Sequence, residues 1–216
     1  MLIIEKEPKS VPAEAFRTLR TNIQYASFDK EVRRLLVTSS GPKEGKSTTA
    51  ANLALSISET GKSVLLLDCD LRRPSLHKKF NISNQVGITN FLLGEVNFEQ
   101  AIKIYRNKLF IMTAGIIPPN PSEMLSSNKL RDFLQRVSQQ FDMVIIDSPP
   151  VMAVTDAQIL STITDGVILV VASGETEKAM AIKAKESLKK VNANILGVVL
   201  NKFKEKNSRG YHYGYY

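Results

Sequence analysis

Hydrophobic residues fall along this chain in short unbroken runs separated by stretches of helical spacing. Arg34 to Ser39 carries an apolar core and runs straight into Ser40-Gly41-Pro42-Lys43-Glu44-Gly45-Lys46-Ser47, a strand followed by a glycine-containing loop. From Ser47 the spacing turns helical: Ala51, Leu53, Ala54, Leu55 and Ile57 crowd one broad face, and Gly61 follows as a stop signal. Val64 to Leu67 then ends on Asp68, and similar aliphatic runs recur at Met143 to Ile146, Val167 to Val171 and Ile195 to Leu200. Strands apolar on both faces, alternating with helices, predict a mainly parallel sheet covered on both sides. The expected fold is doubly wound α/β, with its ligand at the carboxyl ends of the strands. Between Pro74 and Met124 the pattern is less regular. It predicts helical pieces at Ile88 to Leu93 and Phe98 to Tyr105, then a proline-rich link at Pro118-Pro119-Asn120-Pro121, all as an elaboration within one domain. Lys202 to Tyr216 loses apolar periodicity and reads as a mobile, basic, tyrosine-rich tail.

Composition narrows this picture. A length of 216 residues suits one α/β domain, and 43% hydrophobic with 23% charged residues is a globular balance. The single cysteine, Cys69, has no internal disulfide partner, and Met1 to Lys9 carries charges where a signal peptide needs an apolar stretch, so a cytosolic protein is expected. No apolar run approaches the roughly 18 residues of a spanning helix, so membrane contact would need a partner. A net charge of +8 suits nucleic acid, an anionic membrane face, nucleotide phosphates or acidic proteins, and does not choose among them. His77 and His212 are solitary, which speaks against a histidine metal site.

The loop after the first strand carries the sharpest chemistry. In a P-loop, successive backbone N–H groups opening onto a helix N-terminus surround a phosphate, a lysine bridges the outer phosphates and a hydroxyl ligates magnesium. Gly45, Lys46 and Ser47 supply those parts, with Ser40 where the pattern wants glycine, and the nucleotide-binding set is Gly41, Pro42, Lys43, Glu44, Gly45, Lys46, Ser47 and Thr48. Met143-Val144-Ile145-Ile146-Asp147 has the form of a Walker B strand, whose aspartate holds the magnesium shell. In Leu67-Asp68-Cys69-Asp70, strand alternation sends Asp68 and Asp70 to one side and Cys69 to the other. Two carboxylates on one spot repel unless a metal ion or another cation joins them.

In order and spacing, S-G-P-K-E-G-K-S, L-L-L-D-C-D-L-R-R-P and V-I-I-D-S-P-P resemble the bacterial tyrosine kinases of capsule and exopolysaccharide synthesis, over nearly the whole chain. The resemblance implies a P-loop NTPase with deviant Walker A, Walker A′ and Walker B elements, ATP and Mg2+ as cofactors, and phosphorylation of the protein's own tyrosines. It implies Lys46, Asp68 and Asp70 as catalytic, with Asp68 preferred over Asp70 as the base, and Ser47, Asp70 and Asp147 as magnesium ligands. Asn201, just past the last strand, takes the place of an adenine-reading asparagine, though an ordinary turn residue would read the same way. Glu14, Arg17 and Arg20 recur at three-residue intervals along one helix side and match the family's subunit-contact motif, a homo-oligomer interface that suggests a ring. Tyr211, Tyr213, Tyr215 and Tyr216 become the phosphorylation sites, modified in trans within that ring.

This reading divides the chain into a kinase domain at 1–201, including the subunit-contact helix, and a tail at 202–216. It resembles the stand-alone cytoplasmic form, recruited to the inner face of the membrane by a separate transmembrane activator and paired with a phosphotyrosine phosphatase; nucleic acid is not among its implied partners. The rival is a partitioning-type ATPase switch on the same fold, binding DNA or a membrane-associated partner. That class usually places a lysine at the position of Gly41, and its membrane-binding members end in an amphipathic helix; neither is present. The basic surface keeps its DNA-binding variant open.

Overall fold

The computed structural model describes residues 2–26, 31–106 and 108–203. Seven strands form one sheet: β1 (Arg34–Ser39), β2 (Val64–Asp68), β3 (Lys103–Arg106), β4 (Leu109–Met112), β5 (Met143–Asp147), β6 (Gly166–Ala172) and β7 (Ile195–Asn201). Their order is β3-β4-β2-β5-β1-β6-β7, parallel except for the β3–β4 pair. The doubly wound expectation is met.

Each central run feeds two cores because successive side chains leave opposite faces of a strand. Leu35 and Val37 of β1 pack on one face with Leu66 of β2, Ile145 of β5 and Ile168 of β6; Leu36 packs on the other with Leu65, Leu67, Val144 and Ile146. The first face is covered by α1 (Ile3–Lys6), α2 (Val11–Ala26), α3 (Lys46–Ser58) and α4 (Leu76–Phe80). The second is covered by α5 (Ile88–Leu93), α6 (Phe98–Ala101), α7 (Pro121–Ser126), α8 (Asn128–Gln140), α9 (Asp156–Ser161) and α10 (Lys178–Lys190). Full burial of each such Leu or Ile is worth about 1.5–3 kcal/mol.

Two expectations need correction. The helical piece expected over 98–105 stops at Ala101, and Lys103–Arg106 turns into an edge strand antiparallel to β4. Its residues alternate, Lys103 and Tyr105 half-buried and Ile104 72% exposed, a period of two that a longer helical frame conceals. The last run is not covered on both faces either: at the β7 edge Val198 and Leu200 remain 58% and 55% exposed. The expected tail falls on 202–216, of which 204–216 lie outside the described residues.

One close approach fixes the entry to α5. Ile88 N–H donates to the Thr113 carbonyl beyond β4 at 2.8 Å, and a Cβ on Gly87 would stand 2.1 Å from that same oxygen and 2.5 Å from the Gly115 nitrogen. Gly87→Ala should therefore cost about 1–3 kcal/mol from overpacking. Gly197→Ala, where nothing stands within 4 Å, should cost far less. Urea midpoints of the two variants check this, and equal midpoints would refute it.

Candidate active site

The loop between β1 and α3 takes its shape from two left-handed residues, Lys43 (φ 63°) and Gly45 (φ 95°). Gly45 is needed twice over, since a Cβ there would also lie 2.0 Å from the Asn201 side-chain nitrogen. Ser40, the departure from the P-loop pattern, has a partner. Its N–H and hydroxyl donate to the Glu44 carboxylate at 2.9 and 2.7 Å, and the Thr176 hydroxyl donates to the same carboxylate at 2.6 Å. Glu44 is thus turned inward, 5% exposed, and ties the loop to the segment after β6. Asn201 Nδ2 donates to the Glu44 carbonyl at 2.8 Å, so one of its two amide hydrogens is committed to the loop. Met180 leans over Gly41, its sulfur 3.3 Å from where a Cβ would sit.

Parallel pairing sets Asp68 at the end of β2 directly beside Asp147 at the end of β5. Both are fully buried. Asp70 joins them from the loop beyond β2, while Cys69 points into the hydrophobic core, as alternation predicts. Lys46, at the start of α3, donates to Asp70 Oδ2 at 2.7 Å and stands 3.8 Å from Asp147 Oδ1 and 3.2 Å from the Ser47 hydroxyl. Asp68 is held differently: Oδ1 accepts Asp70 N–H at 3.3 Å, and Oδ2 accepts the N–H groups of Ser75 and Leu76 at 3.0 Å each, fastening the start of α4.

These surroundings shift the charges. Burial, reinforced by Asp147, pushes the Asp68 carboxyl up to about 7 against the two α4 N–H bonds that lower it. Burial also raises Asp147, with Lys46 and Ser47 opposing. For Lys46 burial acts downward, but Asp147, Asp70 and Asp68 together outweigh it and raise the pKa. Neither oxygen of Asp147 has a partner in full hydrogen-bond geometry among the described residues, although the Ser47 hydroxyl is near enough to lower its pKa. A fully buried carboxylate with open lone pairs beside Ser47 is suited to a cation. Among the described residues no three His, Cys, Asp or Glu side chains form a closed metal cage.

A ParA family model, described as NUBPL iron-transfer P-loop NTPase, matches residues 31–210. Tyrosine-protein kinase YwqD of Bacillus subtilis is 47% identical over all 216 residues, which cover 90% of that protein. Tyrosine-protein kinase CpsD of Streptococcus agalactiae is 35% identical, over 94% of this chain and 89% of its own length. Among solved structures, the chimerical protein CapA2B2 superposes with a TM-score of 0.91 at 39% identity, over 94% of this chain and 90% of that one. The kinase domain of the Escherichia coli tyrosine kinase ETK gives 0.91 at 31% identity, over 99% and 84%. The chain belongs to the bacterial tyrosine kinases, on the ParA-type P-loop fold.

Iron transfer finds no support in this kinase, whose one cysteine is buried and whose thiol burial pushes well up. The septum-site protein MinD of Pyrococcus horikoshii, complexed with Mg-ADP, shares the fold at 24% identity and a TM-score of 0.68. No described helix of the kinase is long and apolar enough to cross a membrane.

Three residues support the site without having been singled out for a role in the sequence. Arg72 donates to both oxygens of Asp156 at 2.9 and 3.2 Å and to the Ser122 hydroxyl at 2.8 Å, while that hydroxyl donates to Asp156 at 2.6 Å. Fully buried Asp156, the first residue of α9, so clamps the Asp70 loop to the start of α7. The expected interface residues are placed in two ways. Glu14 is exposed and accepts from Arg17 at 3.0 Å; Arg17 also reaches the Pro8 carbonyl at 2.8 Å and lies 3.6 Å from Glu59, and Arg20 donates to the Ser56 carbonyl at 2.6 Å. The two arginines tie α2 to its own α3 end. Tyr211, Tyr213, Tyr215 and Tyr216 lie outside the described residues.

The raised Asp68 carboxyl has a stability consequence. Unfolded, it ionises near 3.8; folded, it keeps its proton to about 7. Between those values the folded state binds the extra proton, so raising the pH through this window favours unfolding. In EDTA the melting temperature should fall from pH 5 to pH 7.5, and Asp68→Asn should flatten that fall. An equally steep fall in Asp68→Asn would remove Asp68 as its source.

Proposed function

We propose that this kinase transfers the γ-phosphoryl group of ATP, with Mg2+, to tyrosine hydroxyls, and that its own Tyr211, Tyr213, Tyr215 and Tyr216 are acceptors. The observation that carries the reading is Lys46 at the start of the phosphate helix, bonded to Asp70 and close to an Asp147 carboxylate with open lone pairs. Ser47, Asp70 and Asp147 would hold Mg2+, which when bound neutralises charge on the phosphate oxygens. Lys46 turns from Asp70 to the phosphate chain and stabilises charge on the transferring group. A tyrosine hydroxyl, with a pKa near 10, must shed its proton as it attacks. Asp68 is the proposed acceptor of that proton, because its raised carboxyl is matched to neutral pH while Asp70 is engaged by Lys46. Asn201 Oδ1, its amide nitrogen being bonded to the loop, is proposed to meet the adenine amine.

The wider setting rests on the relatives. A Klebsiella pneumoniae protein described as "Putative tyrosine-protein kinase in cps region" is 35% identical over 98% of this chain and 29% of its own length. We infer a role in capsular or exopolysaccharide synthesis, as a domain at 1–201 with an acceptor tail at 202–216, acting in a homo-oligomeric ring. A separate transmembrane activator would recruit it to the inner membrane face, and a phosphotyrosine phosphatase would reverse the modification. Glu14, Arg17 and Arg20 together are the proposed contact of α2 with a neighbouring subunit, beside the bonds the two arginines make within their own.

Lys46→Met should abolish phosphorylation, a loss of several kcal/mol of transition-state stabilisation, with the fold retained. Mixed with a catalytically competent subunit cut after residue 203, the Lys46→Met chain should gain phosphate on its tyrosines by mass spectrometry. No phosphate on it would mean that transfer between subunits is wrong.

Each phosphate adds about −1.5 to −2 charge, which the Asp68, Asp70 and Asp147 cluster repels. Sedimentation should therefore show the unphosphorylated chain, or one with all four tail tyrosines changed to Phe, as a larger assembly than the phosphorylated chain. Identical sedimentation would remove phosphorylation from control of assembly.

A further inference from the structure

A second lysine approaches the phosphate loop from an element that the P-loop pattern does not include. Asp68 fastens the first N–H groups of α4 to the end of β2. One turn further along α4, Lys79 Nζ donates to the Thr48 hydroxyl at 2.8 Å. Thr48 lies in the first turn of α3, immediately after Ser47. The Lys79 ammonium thus rests on the positive end of the phosphate-binding helix, where a cation is electrostatically misplaced.

Its other surroundings do not supply a compensating partner of its own. Burial acts most strongly against the charged form and Lys46 adds to that, while Asp147 and Asp68 favour it. Asp147 and Asp68 serve Lys46 as well. Among the described residues no carboxylate lies within salt-bridge distance of Lys79; Thr48 is its hydrogen-bond partner. Two half-buried lysines converging on one helix N-terminus form an arrangement that becomes favourable when a polyanion enters between them.

We propose that Lys79 is a second phosphate-binding lysine of this kinase, holding the part of the polyphosphate that stays with the nucleotide. This inference rests on the nucleotide-site reading above and adds a division of labour to it. Lys46 stands at Asp70 and Asp147, where the transferring group and its counter-ion belong. Lys79 stands on the Thr48 side of Ser47, where the inner phosphates would lie. The charge nearest the nucleoside does not change as the γ-phosphoryl group leaves. A contact there strengthens ground state and transition state alike, so its loss appears in binding and not in the chemical step.

The test compares full-length wild type, Lys79→Gln, Lys79→Arg and Lys46→Met, with Mg2+ present. Titration calorimetry supplies Kd for ADP and ATP, and phosphorylation kinetics supply KM and kcat. In Lys79→Gln, which can still donate to Thr48, Kd for ADP and for ATP should rise by the same factor, about tenfold or more for a lost charged hydrogen bond. KM should rise with them, kcat should fall far less, and Lys79→Arg should recover most of the affinity. Lys46→Met should show the opposite split. Unchanged Kd values in Lys79→Gln, even with a lowered melting temperature, would reduce Lys79 to a structural tie to Thr48. A fall in kcat with Kd intact would place it on the transferring group and overturn the proposal. If the wild type bound neither nucleotide, the nucleotide site itself would fail, a result distinct from failure at Lys79 alone.

Discussion

Three carboxylates crowd the carboxyl ends of two adjacent strands, and their mutual repulsion shapes everything around them. Asp68 and Asp147 are locked side by side by the β2–β5 register, and neither reaches water. Such a pair persists only if protons, cations or N–H groups take up its charge. Each remedy is visible: a raised carboxyl on Asp68, Lys46 between Asp70 and Asp147, and the start of α4 directed at Asp68. The phosphate loop, the Asp70 loop and α4 are held together because each meets part of one electrostatic demand.

The features that were legible in the sequence are local ones. β1, β2, β5 and the glycine loop depend on contiguous residues, and the two-faced burial of the central strands writes itself as unbroken aliphatic runs. Convergence of Asp68 and Asp70 followed from alternation alone. Less legible were features whose cause lies far away along the chain. Ser40 departs from the P-loop pattern, and its partner Glu44 also accepts from Thr176, 132 residues on. Arg72 finds Asp156 across 84 residues, a pairing no local signal announces.

The edge strand misled for a different reason. Helical spacing at 98–105 continued past the true end of α6 because four residues of strand are too few to declare their own period. The arginines of α2 have the same spacing whether they face a neighbour or their own α3. Arg20 donates to the Ser56 carbonyl of its own subunit, a bond that sequence spacing does not record.

Asn201 closes β7 and simultaneously holds the carbonyl of Glu44, while its amide fills the space that Gly45 leaves open. The strand leading toward the chain's far end is therefore bolted to the nucleotide loop without an intermediary. A tug or twist applied beyond residue 203 would be transmitted through one side chain to the backbone that receives phosphate. In that sense the segment that follows β7 has a mechanical lever on the phosphate loop.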